Sequence, residues 1–169
     1  MASMARTNRS FVARGFTIVE LLIVIVVIAI LAAIIIVAYN GIQNRANEVS
    51  VTSDLRNISK QVEMHKVTIG RYPSTTEMDT LKIKVNKAAY GVNPTGATGF
   101  YCVNSDGSKF SIVTRVKSQM VLMYSSDTGQ TVPYSGSQTA PQLCTDSGVA
   151  TTTYLSFTTN GTWNSWIDN

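Results

Sequence analysis

A long uninterrupted apolar run near the N-terminus is the feature that most limits how this chain folds. Every residue from Leu21 to Ala38 is apolar, and counted from Phe16 the segment has 23 residues. As a helix it measures about 35 Å, enough to cross a hydrocarbon core of about 30 Å. A chain of 169 residues has room for one modest domain, whose interior cannot surround a helix that is apolar on every side. The run therefore predicts a membrane-spanning helix.

A cleavable secretory signal is the main alternative for this segment, because a basic tip carrying Arg6, Arg9 and Arg14 precedes the run. Two features argue against it. The run is longer than the usual signal core of about 7–15 residues, and Ala32-Ala33 is followed by three isoleucines rather than by a polar stretch. These features favour a segment that is kept in the membrane.

The charge of the chain says little about its partners. Lysine and arginine number 14 against 10 acidic residues, but removal of residues 1–15 leaves 11 against 10. The excess therefore belongs to the N-terminal tip, where basic residues hold a segment on the cytoplasmic side of a membrane. No direct nucleic-acid site is evident.

Glu20 is an acidic residue at the head of the apolar segment. A charge near the centre of a bilayer costs about 2.5–3.5 kcal/mol, and an acid within a membrane segment indicates a function by default. Near the edge of the span the cost is smaller, so a tolerated interfacial glutamate is the alternative. The residues beside Glu20 favour the functional interpretation.

The run from Arg14 to Leu22, RGFTIVELL, resembles the class III signal sequence of type IV pilins and type II secretion pseudopilins. The resemblance implies that the prepilin peptidase cuts between Gly15 and Phe16 and that Phe16 becomes the N-methylated first residue. It also implies that Glu20 pairs with the N-terminal amine of a neighbouring subunit. Such pairing offsets much of the cost of burying either charge alone, and one repeated heterologous contact is enough to build a fibre.

The same resemblance implies an α+β type IV pilin fold, in which a long N-terminal helix with a protruding hydrophobic half packs against a small antiparallel β-sheet head. The expected segments are a basic leader (1–15), a transmembrane or filament-core half of helix one (16–38), an amphipathic half (39–69) and a globular β-sheet head with a Ser/Thr-rich C-terminal tail (70–169). The chain departs from the pattern at Val37, where many pilins carry a proline. Asn40-Gly41 is the remaining weak point, and local melting of the helix in a filament stays open.

Helical spacing without proline predicts that helix one runs from about Phe16 to about Val67. Its apolar face shifts along the way, and ordinary amphipathic noise is the alternative to a functional division. One stripe is expected to pack against other subunits and the other to dock the head. The first stripe comprises Ile35, Tyr39, Ile42, Ala46 and Val49, and the second Val51, Leu55, Ile58, Val62 and Ile69.

The segment from Gly70 to Pro73 is predicted to end helix one, and it is similar to the Gly-x-Tyr-Pro run that follows helix one in many pilins. A short helix over 77–85, begun by Ser74 or Thr75, is expected next, followed by a loop over 86–99.

The head is predicted to contain an antiparallel sheet. Asp106-Gly107 is a hairpin turn signal between the first two strands. The predicted strands span 99–103, 109–117 and 119–125, with a last strand over 153–158.

Cys102 and Cys144 lie downstream of the membrane-targeting element, in a location that would be oxidising, so a disulfide is the natural interpretation. Closure of a loop of about 40 residues would stabilise the protein by roughly 3–4 kcal/mol in the chain-entropy model. A reactive thiol or half of a metal site is the alternative. The bond would pin an otherwise poorly anchored tail, similar to the disulfide-bounded C-terminal region of many pilins.

Enzyme chemistry is not expected from this sequence, and neither a cofactor nor a metal is predicted. His65, the one histidine, falls inside helix one, and no nucleophile elbow, phosphate loop or zinc motif occurs. Asp106-Gly107 lacks the carboxylate series of a calcium loop. Trp163 and Trp166 could stack on a sugar, although covering the sheet edge is the simpler role.

The leading hypothesis is a pilin, a structural subunit of an extracellular filament that supports motility, adhesion or DNA uptake. Its partners would be identical or related pilin subunits, the prepilin peptidase and the inner-membrane assembly machinery. The precursor would be a single-pass protein of the cytoplasmic membrane, and the mature protein would lie on the cell surface. A type II secretion pseudopilin is the alternative within the family. A membrane-anchored surface binding protein, with Trp163 and Trp166 as its site, is the alternative from another class.

Overall fold

The structure, a computed structural model, describes residues 15–136, 139–150 and 153–168. The basic tip with Arg6, Arg9 and Arg14 lies outside these residues. The chain divides between Asn40 and Gly41 into two compact units, and each is described by itself. The architecture is α+β, with a long N-terminal helix and a small antiparallel sheet, as the sequence predicts.

Helix α1 extends over Ile18–Ile69 and has 52 residues. It is continuous through Val37 and Gly41. Its buried face lies in the second half, where Val51, Leu55, Ile58 and Val62 follow each other at spacings of four and three and are fully buried. Gly70 ends the helix in the left-handed region (φ +89°), and its amide donates to the Lys66 carbonyl at 2.7 Å.

A five-stranded antiparallel sheet forms the centre of the second unit, in the order β5-β4-β3-β2-β6. The three strands predicted between 99 and 125 are confirmed, the first with the predicted bounds and the other two slightly shorter. The sheet strands are β2 (Gly99–Val103), β3 (Phe110–Arg115), β4 (Val121–Ser125), β5 (Gln130–Pro133) and β6 (Tyr154–Ser156).

Side chains alternate between the two faces of the sheet along each strand. Both faces are covered, each by its own cluster of apolar residues. On one face Tyr101, Phe110 and Ile112 join the apolar residues of α1 in a single core cluster. On the other face a smaller cluster combines Cys102 and Val113 with apolar residues of the C-terminal region. Helix α3 (Ala140–Asp146) supplies the cover on this second face.

The remaining elements are short. Their bounds are α2 (Thr75–Leu81), β1 (Ile83–Lys84), a 3-10 turn (Lys87–Ala89), β7 (Thr158–Thr159), β8 (Thr162–Trp163) and β9 (Ile167–Asp168). Strand β1 pairs in parallel with β9, and β7 pairs with β8.

Two expectations for this part of the chain are wrong. The short helix ends at Leu81 rather than at Val85, because Lys82 adopts a left-handed conformation (φ 48°) and the next two residues form β1. The last strand does not extend unbroken from 153 to 158. It ends at Ser156, and β7 then begins a separate hairpin.

The C-terminal region is anchored by a disulfide between Cys102 on β2 and Cys144 on α3, as the sequence predicts. A buried serine cluster reinforces the bond. The hydroxyls of Ser111 and Ser147 lie 2.5 Å apart, and Ser125 donates to the Ser147 carbonyl at 3.1 Å. Ser147 in turn donates to the Cys144 carbonyl at 2.7 Å. Polar groups that would be costly if buried alone thus satisfy one another.

Arg71 and Ser74 both bind Glu77 in the turn that follows α1. Arg71 donates two hydrogen bonds to the Glu77 carboxylate, at 2.7 and 2.8 Å. Ser74 donates its amide and hydroxyl to Glu77 and accepts the Glu77 amide, which forms the capping box of α2. The Arg71 hydrogen bonds, followed by those from Ser74, lower the pKa of Glu77 to about 2.

We predict that Glu77 stabilises the protein in a pH-dependent way. Because its folded pKa is depressed, the contribution is present above the ordinary value of 4.5 and is lost as the pH falls toward about 2. Glu77→Gln keeps a capping side chain but removes the charge. Thermal unfolding of the full-length protein in detergent micelles should show a lower melting temperature for this variant at pH 7, with the deficit shrinking below pH 4.

Asp79→Asn is the matched control, because Asp79 belongs to the same helix and accepts a hydrogen bond from Ser165. A Glu77→Gln deficit that stays constant down to pH 2 would contradict the assignment.

We also predict that the disulfide makes a large contribution to stability. Non-reducing peptide mapping should recover Cys102 joined to Cys144. The double variant Cys102→Ala/Cys144→Ala should lose about 3–4 kcal/mol of unfolding free energy by the chain-entropy estimate. Ser147→Ala, which keeps the bond, should lose about 1–3 kcal/mol. Free thiols in the wild-type protein, or equal losses in the two variants, would count against this account.

Candidate processing and assembly site

The Gly15–Phe16 peptide bond precedes the first helical residue. Residues 15–17 have no regular secondary structure, and Phe16 is 81% exposed. A side chain built on Gly15 would meet no atom within 4 Å. The described structure therefore presents this bond without steric obstruction, and nothing in the packing of the described residues requires glycine there.

Thr17 and Glu20 form a capping box at the start of α1. The amide and the hydroxyl of Thr17 each donate to Glu20 Oε2 at 2.8 Å, and the Glu20 amide donates to the Thr17 hydroxyl at 3.2 Å. Two amides that the helix itself leaves without partners are thereby satisfied. This role of Thr17 and Glu20 was not predicted from the sequence, although Thr-x-x-Glu before an apolar run is its usual signature.

Cleavage before Phe16 would leave this capping box intact, because the Thr17 amide belongs to the next peptide bond. Both Thr17 contacts use Oε2 of Glu20 and neither involves Oε1. Glu20 therefore fixes where the helix begins within its own chain. Pairing of its carboxylate with the amine of a second subunit stays a prediction.

The apolar segment forms the first part of α1, and each of its residues from 16 to 38 is exposed. Over an 18-residue window the mean hydropathy of the helix reaches 3.7, which by length and composition is enough to cross a membrane. A fully exposed helix of this kind is stable in lipid, where every backbone group bonds within the helix. Segment and class III signal motif together fit a membrane-anchored precursor.

The two predicted stripes of α1 have different environments. The docking stripe is confirmed from Val51 to Val62, where its members are fully buried. Ile69 was assigned to the same stripe wrongly, because it is 54% exposed at the last turn. Tyr39, Ile42 and Val49 of the first stripe are exposed, and their packing against other subunits stays a prediction.

Trp163 and Trp166 do not form a paired stacking surface. Trp166 is only 2% exposed, donates its indole N–H to the Ser156 carbonyl at 2.8 Å and packs on Phe157. Trp163 is partly buried and packs edge-on against Tyr90, with ring centroids 5.5 Å apart. Both residues belong to the core and its margin, so the structure does not support them as a sugar site.

Other polar residues singled out by the sequence have structural partners. His65 Nδ1 lies 3.2 Å from the Arg71 carbonyl. Asp106 accepts the Ser108 amide at 2.9 Å within the β2–β3 hairpin turn. Across the ranges 15–136, 139–150 and 153–168, no group of three or more His, Cys, Asp or Glu side chains could hold a metal ion.

Residues 12–36 match the family model described as the prokaryotic N-terminal methylation motif. The match includes Gly15, Phe16 and Glu20, the residues on which the resemblance depends. The motif is characteristic of type IV pilins and pseudopilins, which are structural rather than enzymatic proteins. It implies processing by a prepilin peptidase and assembly into pilus-like filaments. Comparisons with curated proteins and with solved structures gave no match.

Proposed function

We propose that this chain, which carries the N-terminal methylation motif of type IV pilins and pseudopilins, is the pilin of an extracellular type IV pilus-like filament. One observation carries the proposal: the motif lies directly on a capped, uninterrupted apolar helix. The peptidase removes residues 1–15, Phe16 becomes the N-methylated terminus, and the mature subunit leaves the membrane for the fibre.

Assembly replaces lipid by protein around the apolar segment. A helix that is apolar on all sides cannot leave the bilayer for water, because each large apolar side chain would lose about 1.5–3 kcal/mol of burial. The equivalent helices of neighbouring subunits provide the substitute environment. Within it the carboxylate of Glu20 and the new amine of Phe16 are costly when separate and much less so when paired. Their meeting sets the register between subunits.

We assign a different role to each successive segment of the chain. Residues 16–38 form the filament core and residues 39–69 connect that core to the head. Residues 70–169 form the head, whose outer surface determines whether the filament serves motility, adhesion or DNA uptake. The partners are identical or related subunits, the prepilin peptidase and the inner-membrane assembly machinery.

We predict that the mature protein begins at an N-methylated Phe16. Mass spectrometry of the protein purified from its natural membrane or fibre should show this residue first. A control strain without the peptidase should yield the unprocessed chain. A mature N-terminus at Met1 or after Ala33 would refute the proposal.

Electron microscopy of the same cells separates the two members of the family. A pilin should label fibres outside the cell, and immunogold along their length is the expected result. Confinement of the label to the periplasm would instead identify a pseudopilin.

We predict that the charge of Glu20, rather than its capping role, is needed for assembly. Glu20→Ala removes both functions, whereas Glu20→Gln keeps a side chain that completes a capping box and removes only the charge. Thr17→Ala removes the cap and keeps the charge. We expect both Glu20 variants to insert in the membrane yet to lose most fibre incorporation, while Thr17→Ala still assembles.

The measurement is the fraction of cellular protein recovered in sheared fibres, with membrane-fraction immunoblots as the insertion control. Assembly of Glu20→Gln at the wild-type level, with failure of Thr17→Ala, would assign Glu20 to capping alone.

A further inference from the structure

The hairpin of β7 and β8 turns through Asn160 and Gly161. Both residues have positive φ, 48° and 79°, which is the requirement of the Asn-Gly class of two-residue hairpin turn. Thr159 pairs directly with Thr162, so Asn160 and Gly161 make up the whole turn. The turn belongs to the second unit, and neither of its residues takes part in the processing and assembly site.

The reactive groups of this dipeptide are accessible and unbonded. Asn160 is exposed. Within the described part of the chain, neither the Asn160 side-chain amide nor the Gly161 backbone amide has a hydrogen-bond partner. These two groups are therefore free to react with each other.

The fold requires a glycine after Asn160. An L side chain is strained at a φ of 79°, and a Cβ built on Gly161 would lie 3.2 Å from the Cα of Pro94. Because glycine has no side chain, nothing on Gly161 shields its own backbone nitrogen. The turn thus places an asparagine beside the residue that leaves the next amide most open to it.

An asparagine followed by glycine cyclises without a catalyst, since the two reacting groups belong to adjacent residues. The backbone nitrogen of Gly161 loses its proton to solvent and attacks the side-chain carbonyl carbon of Asn160. A carbon–nitrogen bond forms and closes a five-membered succinimide, while the bond to the side-chain nitrogen breaks and ammonia leaves. Water then opens the ring at either carbonyl, which gives aspartate or isoaspartate. No oxidant or reductant is needed.

Ring closure proceeds from an opened hairpin, because Asn160 has to leave its turn conformation to bring its side chain against the Gly161 nitrogen. The hairpin has only two residue pairs. Short exposed elements of this kind open locally at low free energy. The reaction is therefore accessible without unfolding of the second unit.

The same dipeptide occurs at Asn40-Gly41, which provides an internal comparison. It lies inside α1, where a helix commits each backbone amide to the carbonyl four residues earlier. The Gly41 nitrogen cannot attack until that helix opens. Two identical dipeptides in one chain thus differ in the availability of the attacking nitrogen.

We propose that Asn160 is a modification site at which the protein converts spontaneously to aspartate and isoaspartate forms. Each conversion replaces a neutral amide by a carboxylate, so the exposed turn gains a negative charge at neutral pH. The isoaspartate form also carries an additional backbone carbon in the turn, which disturbs the pairing of Thr159 with Thr162. The modification does not depend on filament assembly.

The test is a timed incubation of the full-length protein in detergent micelles, in parallel at pH 8 and pH 5. Chymotryptic mapping separates residues 158–163 from the peptide that begins at Asn40, and electron-transfer fragmentation distinguishes isoaspartate from aspartate. We expect Asn160 to react at least about tenfold faster than Asn40, since local opening of a short hairpin is easier than that of a helix interior. The reaction should be faster at pH 8, because the attacking nitrogen is the deprotonated amide.

Three outcomes would overturn the proposal. They are an unmodified Asn160 after prolonged incubation at pH 8, equal rates at Asn160 and Asn40, and aspartate without isoaspartate, which would exclude the succinimide.

Two threonine variants test the opening step. The Thr98 amide donates to the Thr158 hydroxyl at 2.8 Å, and both residues are buried. Thr158→Val keeps the shape and removes this anchor, so the hairpin should open more often and Asn160 should react about threefold faster or more. Thr162→Val is the matched control, because Thr162 belongs to the same hairpin but is exposed, and it should react at the wild-type rate.

The rate at Asn40 should be the same in both variants, which controls for general loosening of the chain. A wild-type rate at Asn160 in Thr158→Val, or equal acceleration in the two variants, would overturn the assignment of the reaction to the opened hairpin.

Discussion

The packing of α1 on the β-sheet is the interaction on which the second unit depends. Val51, Leu55, Ile58 and Val62 are all fully buried and belong to the same cluster as the aromatic residues of the sheet. At about 1.5–3 kcal/mol for each large apolar side chain, this contact is one of the larger stabilising terms in the unit. The second half of the helix is thus an integral part of the core of the second unit.

The second face of the sheet, which α3 covers, is stabilised in a different way. Helix α3 is short and its apolar cluster is small. Apolar burial alone therefore stabilises the packing of α3 on the sheet only weakly. The disulfide restricts the unfolded chain, and the Ser111–Ser147 contact fixes the orientation of the region on the sheet. Covalent and polar bonds here compensate for a limited apolar area.

Much of the fold was predictable because its signals are local. Continuous helical spacing, the Gly70 stop and the alternating strands 99–125 all leave a pattern within a few residues. The pairing of Ile83 with Ile167 leaves no local sequence pattern, because it joins two-residue strands that are distant in sequence. The shortened helix α2 lies beside that same pairing region, so its end was misjudged.

The candidate site was predictable in part for a similar reason. Gly15, Phe16 and Glu20 follow a compact signature, and the Thr17 cap was also present in it but overlooked.

The position of the Thr17–Glu20 capping box determines what the proposed cleavage would change at the start of α1. The amide and hydroxyl of Thr17, which cap the helix, lie on the C-terminal side of the proposed cut, so cleavage would leave the cap in place. In the proposed processing, cleavage would exchange the neutral peptide nitrogen of Phe16 for a charged amine, while the Glu20 carboxylate stays bound to Thr17. The proposed cut would therefore change the charge at the helix start and remove the leader without breaking the hydrogen bonds that cap α1.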